Sequence, residues 1–407
     1  MTETTATLDA VAIRTRIREA LDVARERIIE LNQAIGHDPE LAFQEHRAAA
    51  RVADLLESEG FTVTRGAYGL ATALQADYGA GELVVAIAGE YDALPGVGHG
   101  CGHNVIAAAG VGAAIALKPV ADELGIRVKF LGTPAEELGG GKILMLQRGA
   151  WDDATFSLMV HGGPDGQVPA RGFRGQALEM IIAKFHGRTA HAAAAPQQGI
   201  NAGDAVTLAQ VAFGLLRQQL PKTVVLASYI AQAGGATNVI PDLGVLEVEM
   251  RGNTAQEWND VRARARKALE GAALATGCTL ELEYPELPYE PLDGDDDIAQ
   301  IFDDMMVEEL GYTLKVAPSD LAGGSTDMGN VSQYLPSIHP MIAFLGTEAY
   351  PHHVSFAQAA VSPAGDRAAL DGALAMALTV ATVAQDPAQR ERLLAVQRER
   401  SPYTSAD

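Results

Sequence analysis

Ile13, Ile17, Leu21, Ala24, Ile28 and Leu31 recur at steps of three and four, the period of one face of an amphipathic helix. A second helix is expected from Glu45 to Glu59, where Gly60 stops it. L-V-V-A-I-A-G (83–89) is a continuous apolar run, as in a parallel strand covered on both faces. The Ala-rich segment from Val105 to Leu117 reads as helical, and I-R-V-K-F-L-G (126–132) alternates as a strand. A helix from Gly141 to Gly149 and a third strand, T-F-S-L-M-V (155–160), follow. Strands alternating with helices imply an α/β domain with a mostly parallel central sheet flanked by helices.

The pattern changes near Arg171. A-L-E-M-I-I-A-K-F (177–185) and V-L-E-V-E-M-R (245–251) alternate apolar with polar, and helical stretches run from Asn201 to Gln219 and from Thr254 to Thr276. That is a two-layer α+β pattern with one sheet face covered. Y-P-E-L-P-Y-E-P-L-D-G-D-D-D (284–297) reads as a linker. Beyond it come a helix near 298–310, the strand P-M-I-A-F-L-G (340–346) and a long helix from Arg367 to Ala384. The tail R-E-R-S-P-Y-T-S-A-D reads as frayed. The expected organisation is a catalytic domain in two parts, 1–174 and 288–407, interrupted by a smaller inserted domain, 175–287.

A chain of 407 residues exceeds what one hydrophobic core ordinarily supports, in keeping with two domains. Asp and Glu number 52 against 30 Lys and Arg, a formal net charge of −22. Such a surface repels phosphate backbones and anionic lipid heads, so neither nucleic acid nor a membrane is an expected partner. No apolar run approaches the roughly 20 residues that span a bilayer. Cys101 and Cys278 are too few for a disulfide framework. The start, M-T-E-T-T-A-T-L-D-A, lacks the basic and apolar regions of a secretion signal, so a cytoplasmic chain is expected.

In open α/β sheets, ligands gather beyond the carboxyl ends of the strands. After 83–89 come E-Y-D-A-L-P and the loop G-V-G-H-G-C-G-H-N (96–104); after 126–132 comes T-P-A-E-E. After 155–160 comes H-G-G-P, and after 340–346, T-E-A-Y-P-H-H. The glycine loop is no dinucleotide fingerprint, because from Gly96 and Gly98 the third glycine would fall on Cys101. Cys101 and His103 offer thiolate sulfur and imidazole nitrogen, which suit a borderline-soft divalent ion such as zinc. An isolated C-x-H more often joins a buried cysteine to a loop histidine; four strand exits rich in ligand types reverse that preference. Adjacent Glu136 and Glu137 point different ways on irregular backbone, so one can bind an ion while the other takes a proton from water. Alone, the pair also fits a solvated helix start, and His161 alone fits a ligand or a capped core histidine equally.

Together these residues resemble a family. E-Y-D-A-L-P-G-V-G-H-G-C-G-H-N, P-A-E-E, H-G-G-P, H-G-R-T-A-H-A-A, G-G-A-T-N-V-I-P-D and G-G-S-T-D-M-G-N-V-S are similar to motifs of the metal-dependent amidohydrolases grouped with carboxypeptidase G, aminoacylase and the indole-acetyl-amino-acid hydrolases. They stand in the family's order over about His37 to Ala360. S-T-D-M-G-N-V-S followed by I-H-P most resembles the aminobenzoyl-glutamate hydrolase and dipeptidase-like branch.

The resemblance implies two divalent ions per subunit, zinc or else manganese, cobalt or nickel. Their ligands would be Cys101, His103, Glu137, His161 and His352. His352 is taken over His353 because family members place this ligand four residues before an aromatic. Glu136 would be the general base and Asp92 a carboxylate that orients a ligand. Relatives outside the branch often have a histidine ligand where this chain has Glu90, so here the cysteine-containing set would carry the ions. Many cousins also have Asp in place of Asn104.

The inserted domain resembles the family's lid, which also forms a homodimer. On it His191 matches a histidine that reaches a partner subunit's site and polarises the scissile carbonyl. Asn238 matches a substrate-contacting asparagine, and Arg251 the arginine that grips a free carboxylate. Gly323, Gly324 and Ser325 match a turn whose amides face that carboxylate. The implied reaction is metal-dependent hydrolysis of the amide of an N-acyl or aminobenzoyl amino acid with a free carboxylate. The alternatives are a dipeptidase on free-amine dipeptides and, in another class, a catalytically silent dipeptide-binding protein on the same fold.

Overall fold

The computed structural model describes residues 9–315 and 324–403. They fall into two compact units: residues 9–173, 293–315 and 330–403 form the first, 174–292 and 324–329 the second. The expected boundary after residue 287 thus lies at 292, and 324–329, expected in the catalytic domain, groups with the second unit. The proline-rich stretch is no free linker. The N–H and C=O of Tyr289 both bond to the backbone of Leu178, each at 2.9 Å.

In the first unit, Leu83–Glu90 is buried at every position, as its unbroken apolar run requires. The six-stranded sheet runs Thr62–Arg65, Leu74–Tyr78, Ile126–Thr133, Leu83–Glu90, Phe156–Leu158, Ser337–Ile338. The last four are parallel, and the first two add antiparallel pairings at one edge. The expected α/β class with a mostly parallel central sheet is borne out. Glu90 pairs with Thr133 at the strand ends, so the two following loops leave the sheet side by side.

The helix Ala10–Gly36 buries all six residues that its period picks out, packing on the helices His103–Leu117 and Pro363–Gln385. His103–Leu124 and Pro363–Gln385 are long and apolar enough to cross a membrane by length and composition, which corrects the expectation that no such run exists. Their apolar windows are 89% and 78% buried inside the protein, so their composition reflects a core position. A helix at Pro387–Glu399 was not among the expected elements. Nor is the described part of the tail frayed: Arg400 donates to the carbonyls of Trp151, Asp152 and Ala154.

The second unit holds an antiparallel sheet ordered Val225–Gln232, Leu243–Gly252, Ala177–His186, Thr279–Glu283. The two central strands alternate buried with half-buried residues. Helices Ala202–Arg217 and Ala255–Thr276 cover one face, enclosing Phe185, Phe213, Leu246 and Val261. Period-two patterning with one covered face is what this sequence predicts.

Candidate metal centre and active site

The strand Leu83–Glu90 delivers Glu90 and then Asp92 to the end of the sheet. The glycine loop enters the helix His103–Leu117 through Gly102. There φ is +74°, and a Cβ would stand 3.1 Å from Phe344 and 3.2 Å from Phe356. Only glycine meets both conditions without strain. Because the helix starts at His103, Cys101 stays on the turn before it and the two side chains converge. Donor atoms of Cys101, His103 and His161 lie within 4.8 Å of one another, as do those of Cys101, Glu137 and His352. The Cys101 sulfur belongs to both triads. His103, Glu136 and Glu137 form a third such group.

The ring nitrogens are already oriented. His103 Nδ1 faces the Asp92 carbonyl at 2.9 Å and Asp92 Oδ1 at 3.0 Å, so it carries the proton and leaves Nε2 for a ligand. Asp92 Oδ2 accepts the Glu137 N–H at 2.9 Å, so one carboxylate sets two donors. His161 is not after a strand but on one: His161–Gly163 pairs in parallel with Met341–Ala343. Its Nδ1–H donates to the Gly162 carbonyl at 2.7 Å. The His352 N–H donates to the Gly100 carbonyl at 2.9 Å, which ties the last loop to the glycine loop. His353 is used otherwise: its Nδ1 accepts the Ser355 N–H and caps the helix Val354–Ala360.

Glu90, Asp92 and Glu136 are 0%, 1% and 8% exposed. Burial, then neighbouring Glu137, pushes the Cys101 thiol far up. Burial opposes charge on Asp92, yet the His103 ring and the Glu137 amide hold its carboxyl below the ordinary value. Burial likewise opposes charge on His103, but Glu90 and Asp92 outweigh it and push the ring well up. His161 is pushed down by burial. A thiol barred from ionising by burial and then by carboxylates, beside a histidine that those carboxylates draw toward charge, marks a pocket short of positive charge. This donor set fits divalent cations.

Sequence reasoning gave no role to three residues here. His339 is buried, donates from Nδ1 to the Met159 carbonyl, and stands edge-on to His161 with ring centroids 5.5 Å apart. Burial, then His161, pushes it down to about 3, so it is a neutral wedge behind that ring. Lys142, inside an ordinary helical pattern, forms a buried ion pair with Glu90. Glu45, read as a helix start, accepts the Ala135 N–H directly before Glu136.

In the second unit, His191 lies on a short ribbon in which it pairs with Val239. Its Nδ1 accepts the N–H groups of Ala193 and Ala194 at 3.2 and 3.1 Å, which leaves Nε2 as the donor of this exposed residue. Asn238 is exposed, and its carbonyl accepts the Ala192 N–H beside His191. Arg251 donates to Glu249 at 2.8 Å and to Ser325 Oγ at 3.3 Å, so the arginine and serine expected at one carboxylate stand together. Gly324 is exposed; Gly323 lies outside the described residues.

The sequence matches the profile of "Peptidase family M20/M25/M40" over residues 86–368. It is 35% identical over 395 residues to the Xaa-Arg dipeptidase of Mus musculus, covering 93% of this chain and 90% of that protein. It is 34% identical over 290 residues to a p-aminobenzoyl-glutamate hydrolase chain from Escherichia coli (strain K12), covering 66% of this chain and 60% of that protein. A crystal structure described as a dinuclear metal binding peptidase from the M20 family, from Bacillus subtilis, shares the fold with a TM-score of 0.67. That likeness covers 89% of this chain and 99% of the other at 24% identity.

Proposed function

The chain belongs to peptidase family M20/M25/M40, and from that premise we propose that it hydrolyses the amide of an N-acyl or aminobenzoyl amino acid with a free carboxylate. The observation that carries the reading is the pair of donor triads that share the Cys101 sulfur beside Glu136.

Cys101, His103, Glu137, His161 and His352 would hold two divalent ions. When bound, such ions acidify a water and polarise a carbonyl. Asp92 keeps His103 and Glu137 aimed, through hydrogen bonds of 3.0 and 2.9 Å. Glu136 takes the proton of the attacking water and passes one to the leaving amine. His191 donates from Nε2 to the developing oxyanion, the role for which its backbone-bonded Nδ1 leaves it protonated. Arg251, with Asn238, Gly323, Gly324 and Ser325, binds the carboxylate end of the substrate.

A dipeptidase is the second reading, favoured by the mouse relative that matches over most of its length. The test is a panel of N-acyl amino acids, aminobenzoyl-glutamate and free-amine dipeptides after reconstitution with zinc, manganese, cobalt or nickel. Preference for blocked amines supports the amidase, and preference for free amines the dipeptidase. Turnover of neither with any metal leaves the silent binding protein.

The active form is a homodimer made by the second unit. Support comes from its edge strand Val225–Gln232, where Tyr229 and Ile230 are 58% and 46% exposed, and from exposed Val211 and Leu215 on the helix Ala202–Arg217. The cytoplasm is the compartment in which a free, ligand-bearing cysteine stays reduced.

A further inference from the structure

Glu90 and Lys142 form an ion pair with both side chains 0% exposed. Lys142 Nζ donates to Glu90 Oε1. The other oxygen, Oε2, is buried and has no hydrogen-bond partner among the described residues. It stands 3.3 Å from His103 Nε2, which is likewise buried and without a hydrogen-bond partner. Nδ1 of that ring already serves Asp92. Two buried atoms thus face each other across 3.3 Å with no hydrogen bond formed, and without an ion only a proton on the His103 ring, which the neighbouring carboxylates favour, holds them together.

A cation satisfies both. Two donors about 2.1 Å from one ion, at angles of roughly 90–110°, stand about 3.0–3.5 Å apart. The observed 3.3 Å falls inside that span. A lysine ammonium on the far oxygen leaves one oxygen of the carboxylate to ligate and offsets its charge.

We propose that Glu90 Oε2 is a ligand of the ion held by His103, an oxygen donor additional to Cys101, His103, Glu137, His161 and His352. This rests on the metal-dependent reading above and deepens it. A further hard oxygen would add to the donors available beside His103 and favour manganese or cobalt over zinc there.

Glu90→Leu alone would take a carboxylate partner from the buried Lys142 ammonium, so the test pairs it with Lys142→Met, an apolar exchange that buried ion pairs commonly tolerate. Metal content after dialysis is read by mass spectrometry, affinity by chelator competition, and geometry from the visible spectrum of the cobalt protein. Wild type is expected to retain two ions. The double variant, folded by circular dichroism, is expected to bind one of them at least tenfold more weakly, with a cobalt band more intense and shifted to longer wavelength. Wild-type stoichiometry, affinity and spectrum in the double variant would overturn the proposal and leave the metal reading intact. A wild type that binds no ion would overturn both.

Lys142→Met alone is a second measure if the double variant does not fold. It leaves the ligand in place with its charge no longer offset, so added manganese should raise its Tm by more than it raises that of wild type. An equal or smaller rise also overturns the proposal.

Discussion

Glu45 and Ala135, 90 residues apart in sequence, are joined by a hydrogen bond of 2.9 Å from the Ala135 N–H to Glu45 Oε1. The same oxygen accepts the Phe43 N–H at 2.9 Å. Phe43 and Ala135 both have φ of +60°, left-handed backbone that costs a residue with a side chain about 1–2 kcal/mol. One buried carboxylate therefore secures two strained turns, and the second leads directly into Glu136 and Glu137.

Burial lifts Glu45 to about 7, against an ordinary 4.5. The folded state thus holds this proton more tightly than the unfolded chain does. The stability it contributes is full below about 4.5, declines as pH rises toward 7, and then levels off, a span on the order of 3 kcal/mol. Glu45→Gln keeps an accepting oxygen and removes the titration. Unfolding by urea between pH 4.5 and 8 should show a steeper loss in wild type than in the variant. Parallel curves would remove Glu45 from the pH response.

The site was legible where chemistry is concentrated. Cys101, His103, Glu136 and Glu137 announce themselves because they lie on the segments that leave apolar runs read as strands, and His161 because it ends such a run; strand ends on one edge of a parallel sheet meet in space. Glu45 and Lys142 were not legible, since a Glu at a helix start and a Lys within a helix are ordinary solvated residues in any linear reading. Their roles come from burial, which depends on the packing of segments 50 to 90 residues away. The helix Pro387–Glu399 escaped for a related reason. It buries Leu393 and Leu394 and little else, too few apolar positions to establish a period.

Gly102→Ala tests whether the C-G-H turn is fixed by backbone geometry. A methyl there meets left-handed φ and two phenyl rings at 3.1 and 3.2 Å, so the turn must shift and carry Cys101 away from His103. A loss of about 2–4 kcal/mol in stability is expected. Metal affinity should fall with it, measured by chelator competition on the folded fraction. Unchanged affinity would mean that the turn tolerates the methyl without moving the sulfur.

Glu136→Gln separates proton transfer from metal binding. The amide keeps the volume and loses the base, so kcat should fall by about 10²–10⁴ while metal content stays at the wild-type level. If turnover persists, the base is another group. If turnover and metal vanish together, Glu136 is a ligand rather than a base.

Arg251→Ala should raise KM for substrates with a free carboxylate by roughly tenfold or more, with a smaller change in kcat, because a uniform anchoring contact is lost. Amidated substrates, which lack that carboxylate, should be nearly indifferent. Arg251→Lys should recover only part of the loss, since one ammonium cannot reproduce the two-pronged fork. Equal effects on acid and amide substrates would assign the guanidinium to its Glu249 and Ser325 contacts alone.

The edge strand Val225–Gln232 tests the dimer and the role of His191 together. A strand with one unpaired edge and exposed Tyr229 and Ile230 is a template for pairing with another copy. A lysine at such an edge is a common natural block to pairing. On the proposed dimer, Ile230→Lys should therefore shift the equilibrium to monomer by light scattering, with the fold intact by circular dichroism. If His191 serves the site of a second copy, the monomer loses kcat by the same order as His191→Ala does, while its metal content is unchanged. Mixing metal-binding-dead Cys101→Ala chains with His191→Ala chains then provides the decisive readout. Heterodimers regain activity at one of their two sites only if His191 acts across subunits. A mixture as inactive as its parents places the histidine within its own chain.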